Sequence, residues 1–481
     1  MSPTLGPRAR GCFSIPDRIR QAGRVRTGDV SFWWADHGRS EPSDVLDGDA
    51  VADVVVVGAG YTGLWTAYYL AGLRPDLDIR VIEQRFAGYG ASGRNGGWLS
   101  ASVTGGLDGY ARTHPRPDVA RFQLAMNDAV GEVIGVAERH AIDAEIRQGG
   151  TLLVARNAAQ EERARTFAAF GERWPEVGVE TLTADAAAER VRVAGTRSAV
   201  WEPHCARIHP AKLAAGLARV VRERGVRIHE GTTVRVIAPG RVETDRGVVR
   251  ARHVIRATEG FTANLAGERR TWVPMNSSMI VTEPLPEDAW AAIGWEHFDT
   301  LEDFAHVYSY AQRTADGRIA IGGRGNPYRY GSQTDNDGDI DPRTVAHLRE
   351  ILVSWFPALA DVPVAHGWSG VLGVPRNWRA TVGYDAARGL GWAGGYVGTG
   401  VTAANLAGRT LADLVAGERT DRTTLPWVDQ QARRWEPEPL RWLGIHGLYR
   451  AYGLADRIEA RGARRTSVIA RVADRVSGRV S

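Results

Sequence analysis

Asp53-Val-Val-Val-Val-Gly58-Ala-Gly60-Tyr61-Thr62-Gly63 is the stretch that decides the fold. Its β-branched run at 53–57 predicts a strand buried on both faces, as in a parallel sheet. Residues 61–72 predict a helix, and 79–83 (Ile-Arg-Val-Ile-Glu) a second strand. In such a unit Gly58 permits the tight turn, Gly60 lets backbone approach a pyrophosphate, and Gly63 lets helix and strand pack closely. The helix start offers free N–H groups and the positive end of its dipole to phosphates. Glu83, twenty residues beyond Gly63, ends the second strand, where a carboxylate accepts ribose hydroxyls. A GxGxxG by itself is a weak sign. Strand, motif, helix, strand and terminal acid within 31 residues make a dinucleotide-binding unit. The acid argues against a 2′-phosphate, but the unit does not choose between nicotinamide and flavin dinucleotides.

Around this unit lie 481 residues, more than one hydrophobic core normally serves, so two domains are expected. Hydrophobic (43%) and charged (24%) fractions are those of an ordinary globular protein. The net charge of +4 is scattered, with no basic block interleaved with stacking aromatics, so nucleic-acid binding is not expected. Cys12 and Cys205 supply neither a disulfide framework nor a four-ligand metal site, so no metal is expected. With no apolar run of membrane-spanning length and no apolar leader segment, a cytoplasmic protein is expected. Lys212 is the single lysine.

Further along, helices are expected near 117–141, 158–173 and from Pro210, with short strands near 145–155. Strands are expected at 226–229, 234–237 and 254–258, and antiparallel ones at 276–283, 304–311 and 317–322. A strand at 390–393, a glycine-rich turn and a helix over 402–416 follow. Nucleotide-binding segments (50–106, 205–262, 385–424) thus alternate with mixed sheet-and-helix segments (107–204, 263–384). The expected class is α/β and α+β, a Rossmann-like domain interleaved with an antiparallel-sheet substrate domain. Residues 1–49 read as an irregular arm pinned by Phe32-Trp33-Trp34, and 425–481 as a helical tail. The arginines along 455–479 read as a solvated basic face, with contact to an anionic membrane surface as the alternative.

Gly88-Tyr-Gly-Ala-Ser-Gly-Arg94-Asn95-Gly96-Gly97 resembles the loop after the second strand in the D-amino-acid-oxidase-like flavoenzyme superfamily, closest to the gamma-glutamylputrescine oxidase type. Phe32-Trp-Trp, Cys205–Leu213, Val254–Gly260 and Gly391–Thr402 resemble further segments of that family, in the expected order over roughly 30–420. The resemblance implies FAD as cofactor. With the βαβ unit, it implies cofactor contacts at Gly58, Gly60, Tyr61, Thr62, Gly63, Glu83, Gln84, Ser92, Arg94, Asn95, Gly96, Gly97, Val234, Thr258, Gly260, Gly395, Gly398, Thr399, Gly400, Val401 and Thr402. Gly398-Thr399 stands where aromatic hydroxylases of similar fold carry Gly-Asp, which disfavours monooxygenation. No cysteine occurs in 368–383, where some sarcosine oxidases attach flavin, so non-covalent FAD is expected.

The resemblance implies oxidation of a C–N bond in a small amine or amino acid by hydride transfer to flavin N5. The imine product then hydrolyses, and O2 is the expected acceptor. The alternatives are an acceptor-linked dehydrogenase acting on an amine or hydroxy acid, and a non-catalytic FAD-binding subunit. Such a site needs aromatic walls and a few polar anchors. His306, Tyr310, Arg324, His366 and Trp368 are the catalytic candidates, with Tyr308, Trp378 and Tyr396 as further wall candidates. Lys212 lies in a segment implied to be away from the substrate, so it is not expected to promote reaction with O2.

Overall fold

A run of valines with no polar face needs cover on both sides. In the computed structural model, which describes residues 25–39, 44–334 and 336–478, Ala50–Val57 lies within an eight-stranded sheet. It pairs in parallel with Ile79–Ile82 on one side and Val248–Arg256 on the other, and Arg227–His229 extends the parallel set. Alternate side chains separate the two covers. Val54 and Val56 join the core formed with helices Tyr61–Leu73, Pro210–Glu223 and Gly400–Ala416. Val55 and Val57 pack with Val242 and Val249 on the opposite side. Tyr61–Leu73 is buried round nearly its whole first two turns, which suits its lack of a polar stripe. The strand expected at 254–258 is the longer Val248–Arg256, whose end also pairs with Leu390–Gly394. Thr381–Asp385 pairs with that strand, so it belongs to the same sheet.

A second, mostly antiparallel sheet has nine strands. Its order is Arg26–Thr27, Val364–Val374, Val273–Thr282, Ile319–Gly323, Tyr310–Arg313, Thr300–Asp303, Thr151–Ala155, Ser198–Glu202 and Glu180–Thr183. The strand expected over 304–311 is instead a turn between Thr300–Asp303 and Tyr310–Arg313. Asp303 accepts the backbone N–H groups of Ala305 (3.3 Å) and Ser309 (3.2 Å), which closes the turn and breaks the ladder. A small sheet of Trp98–Ser100, Cys205–Arg207 and Arg147–Gln148 completes the strands.

The arm is more ordered than its composition suggested. Ser31 accepts the Trp34 N–H and starts a helix, Phe32–His37, whose three aromatics are buried. Trp33 Nε1 donates to Asn95 O at 2.9 Å, so the arm buttresses the 88–97 loop. Residues 1–24, with Cys12, lie outside the described residues.

The tail forms two helices, Leu440–Ala460 and Val468–Ser477. Asp456 and Glu459 turn inward: Asp456 accepts the N–H groups of His306 (2.8 Å) and Val307 (3.0 Å). Glu459 meets Arg163 at 2.8 Å and His306 Nε2 at 2.9 Å. The tail is therefore tied to the 304–309 turn. None of the helices among the described residues is long and apolar enough to cross a membrane.

Candidate active site

Gly58 has φ +105°, and a Cβ there would stand 2.6 Å from Ala257 O. A Cβ on Gly63 would stand 1.9 Å from Gly58 O. Strand, turn and helix thus close only around glycine. Gly60 begins the 61–73 helix without a side-chain cap. Glu83 accepts N–H groups from Ala59 (2.9 Å) and Arg85 (3.0 Å), and burial pushes its pKa up. A carboxylate has about four lone-pair directions, so these two bonds leave room for ribose hydroxyls.

The 88–97 loop is held by its own side chains. Arg94 Nε donates to Tyr89 O at 2.8 Å, its guanidinium 4.3 Å over the Tyr89 ring. Asn95 Nδ2 donates to Ser92 O at 2.8 Å and its Oδ1 accepts the Gly97 N–H at 2.8 Å. On the facing side, Val397 (φ +55°) and Gly398 (φ +117°) carry the chain into the Gly400–Ala416 helix. Such a conformation is strained for a β-branched residue. Half-buried Glu259 holds it, accepting N–H groups from Gly373 (2.5 Å) and Tyr396 (2.9 Å). Burial pushes the Glu259 carboxyl up to about 7. The Gly400–Ala416 helix also starts without a side-chain cap, so its first N–H groups are available to an anionic or electron-rich ligand.

These parts line an inner chamber that runs from the Gly58–Gly63 turn past Glu83 to the start of the Gly400–Ala416 helix. A second chamber adjoins it. Ala91, Asn95, Leu372, Gly398 and Val401 line both. The second chamber is walled by Trp98, Tyr308 and Tyr310 and carries Arg324, Glu202 and Glu302. The Tyr310 ring occupies the space left by two glycines: a Cβ on Gly96 or Gly322 would come within 2.7 or 2.3 Å of it. Its hydroxyl is fixed by Ser277 Oγ at 2.9 Å. Arg324 Nη1 donates to Asn276 O at 3.4 Å. Burial opposes its charge, but Tyr449, Tyr308 and Tyr310 outweigh this and raise its pKa.

A family model described as FAD dependent oxidoreductase (DAO) matches residues 53–414. The chain belongs to the DAO family of FAD-dependent oxidoreductases. Gamma-glutamylputrescine oxidoreductase of Escherichia coli (strain K12) is 32% identical over 81% of this chain and 89% of that protein. A probable oxidoreductase OrdL of Rhizobium meliloti (strain 1021) is 31% identical over 78% of this chain and 86% of that protein. The crystal structure of glycine oxidase from Geobacillus kaustophilus shares the fold, with a TM-score of 0.66 and 22% identity over 80% of this chain and all of that one. The DAO fold and its FAD dependence accord with the glycine turn, the uncapped helix starts and Glu83.

Of the residues tied to the DAO cofactor by sequence, Gly58, Gly60, Tyr61, Thr62, Glu83, Gln84, Ser92, Asn95, Val234, Thr258, Gly398, Gly400 and Val401 line the inner chamber. Arg94, Gly96 and Thr399 line the second. Gly63, Gly97, Gly260, Gly395 and Thr402 line neither. The glycines among them make room for neighbours: Gln312 and Ile208 at Gly97, Val371 at Gly260, Pro375 at Gly395. Thr402 is fully buried in its helix.

Among the catalytic candidates, Tyr310 and Arg324 face the second chamber. His306 borders an outer space shared with Tyr308, Trp378 and Tyr449, but its ring is bound to Arg163 and Glu459. His366 is spent on Gly28 O (3.0 Å) and Trp368 on Arg94 O (2.9 Å), so both brace backbone. Tyr396 closes the inner chamber, its hydroxyl 3.0 Å from Thr62 Oγ1. Glu202, Glu302, Trp98 and Tyr449 were not foreseen. No local motif marks them; the sheet register and the tail bring them in.

Proposed function

We propose that the chain oxidises a C–N bond of a small amine or amino acid. The observation that carries this reading is the meeting of the two chambers at Asn95, Leu372, Gly398 and Val401. One is built from glycines and helix starts, the other from aromatic walls and an arginine. The relative named for gamma-glutamylputrescine, an amine, agrees with it. Bound FAD supplies a hydride acceptor at flavin N5. The Gly58–Gly63 turn and Glu83 hold its ADP half, and the 398–402 helix start favours negative charge on its ring. Non-covalent attachment is part of this reading: among the described residues the one cysteine, Cys205, lies 3.4 Å from Thr300 Oγ1 and lines neither chamber.

Trp98, Tyr308 and Tyr310 keep water from the reacting carbon, and Arg324 fixes a substrate carboxylate. The released imine hydrolyses in water, and electrons pass to O2. Anaerobic addition of amines and amino acids should bleach the yellow flavin. If neither they nor any hydroxy acid bleaches retained FAD, the chain is a binding subunit. Arg324→Gln should raise KM for carboxylate-bearing substrates about 10- to 100-fold, the loss of a charged hydrogen bond. An unchanged KM would remove Arg324 from this role.

The second reading, an acceptor-linked dehydrogenase, is favoured by Lys212. It is bound to Glu145 and lines neither chamber. Reoxidation by O2 no faster than that of free reduced flavin would establish it. The sheets also support a division into an FAD-binding part (50–106, 205–262, 381–424) and a substrate part (107–204, 263–380). In this reading the last FAD-binding segment begins at 381 instead of the expected 385, since Thr381–Asp385 pairs with Leu390–Gly394 of the eight-stranded sheet.

A further inference from the structure

Glu202 ends its strand on a carboxylate that the reading above leaves without a task. It stands opposite Thr151, which in turn stands opposite Thr300 in the neighbouring strand. Glu302, two residues after Thr300, shares that face, because strand side chains alternate. Both acids border the second chamber and a side space lined by Phe167, Phe170 and His204. The nearby hydroxyls are engaged with one another: Thr151 with Thr300 at 2.9 Å, and Ser100 with Ser102 at 2.9 Å. Among the described residues the Glu202 carboxylate has neither a hydrogen bond nor an ion pair. Its surroundings are protein and the two cavities it faces, and burial pushes its pKa up to about 7.

An ionised carboxylate enclosed without a partner is costly to keep, and such groups in a cavity mark a ligand that completes them. A cation is the partner that would keep this carboxylate ionised. Arg324 borders the second chamber but not the side space, and Glu202 is absent from the lining shared by the two chambers. The group Glu202 faces therefore lies away from the reacting end.

We propose that Glu202 receives a second, cationic amino group of the substrate, so that the enzyme prefers molecules with two basic nitrogens, one oxidised and one held. This rests on the proposed C–N oxidation and names its substrate class.

The test compares matched pairs of equal length, such as 1,4-diaminobutane against butylamine, in wild type and Glu202→Gln. Wild type should favour the diamine in kcat/KM by about 10- to 100-fold, the value of one charge-assisted pair. In Glu202→Gln the ratio should fall toward one, with the loss in KM for the diamine rather than in kcat. The other titratable or charged groups lining the two cavities or adjoining Glu202 in the chain are Arg94, Glu302, Tyr308, Tyr310, His204, Cys205 and Arg324. The pH response is therefore read as wild type minus Glu202→Gln. That difference should show diamine preference declining as pH falls through about 7, where Glu202 takes up its proton.

A diamine preference that is absent, or that survives in Glu202→Gln, overturns the proposal. So does loss of FAD or of thermal stability in Glu202→Gln, which would mark a structural carboxylate. If no amine bleaches the flavin at all, it is the C–N oxidation reading that fails.

Discussion

Gly58→Ala is expected to purify without FAD. The alanine would have to hold φ +105°, a conformation that costs a non-glycine residue about 1–3 kcal/mol. Its Cβ would also stand 2.6 Å from Ala257 O, which is backbone and has no rotamer to move to. Relief requires the turn to part from the end of Val248–Arg256, and that turn lines the inner chamber. With 1.4 kcal/mol per tenfold, backbone strain alone weakens FAD about 5- to 100-fold, and the clash adds to it. Gly417→Ala is the matched control. It also sits at positive φ (+78°), but nothing lies within 4 Å of its added Cβ. It should lose some stability and keep its flavin. Full FAD content in Gly58→Ala, read from the flavin-to-protein absorbance ratio, would remove the turn from the cofactor site.

Glu459→Ala should be the most destabilising change in the tail, by about 3–5 kcal/mol, because it leaves Arg163 and His306 facing an empty buried position. The Glu459 side chain is only 1% exposed and also accepts the Ser467 N–H at 2.9 Å. Burial alone would raise its pKa, but His306 and Arg163 outweigh that and hold it at about 2. A carboxylate depressed in this way stabilises the fold above its ordinary pKa of 4.5. The contribution fades as pH falls from there toward 2. Urea unfolding at pH 7 and pH 4 checks both points: the variant should be less stable at pH 7, and the gap should be narrower at pH 4. Because Glu459 and Asp456 brace the turn that carries Tyr308, KM should rise too. A change below about 1 kcal/mol would show that the tail is a passenger.

The dinucleotide unit was legible because everything it needs is local. Thirty-one residues contain the buried strand, the glycines and the acid, and backbone sterics allow them one arrangement. The 88–97 and 394–402 loops were legible from family likeness. What escaped depends on distant partners. The break between Asp303 and Tyr310 rests on an Asp303 carboxylate and on Asp456, 150 residues downstream of His306. His306 and His366 sit near strand ends, as expected of site residues, yet their ring nitrogens are taken by Glu459 and by Gly28 O. Glu202 is one acid between a tryptophan and a proline until Thr151 and Thr300 set its register.

The solitary lysine has a chemical consequence of its own. If the amine oxidised is a primary one on a CH2 carbon, as in 1,4-diaminobutane, the imine hydrolyses to an aldehyde, and aldehydes condense with free lysine amines to form Schiff bases. This chain carries one such side chain, and Glu145 keeps it occupied. Burial pulls the Lys212 pKa down, but the Glu145 contact prevails and raises it, which lowers the share of free amine able to attack a carbonyl. Arginine carries nearly all the remaining positive charge, and its guanidinium is far less nucleophilic. The basic surface thus offers the product few amines to condense with, so repeated turnover should leave few Schiff-base adducts on the protein.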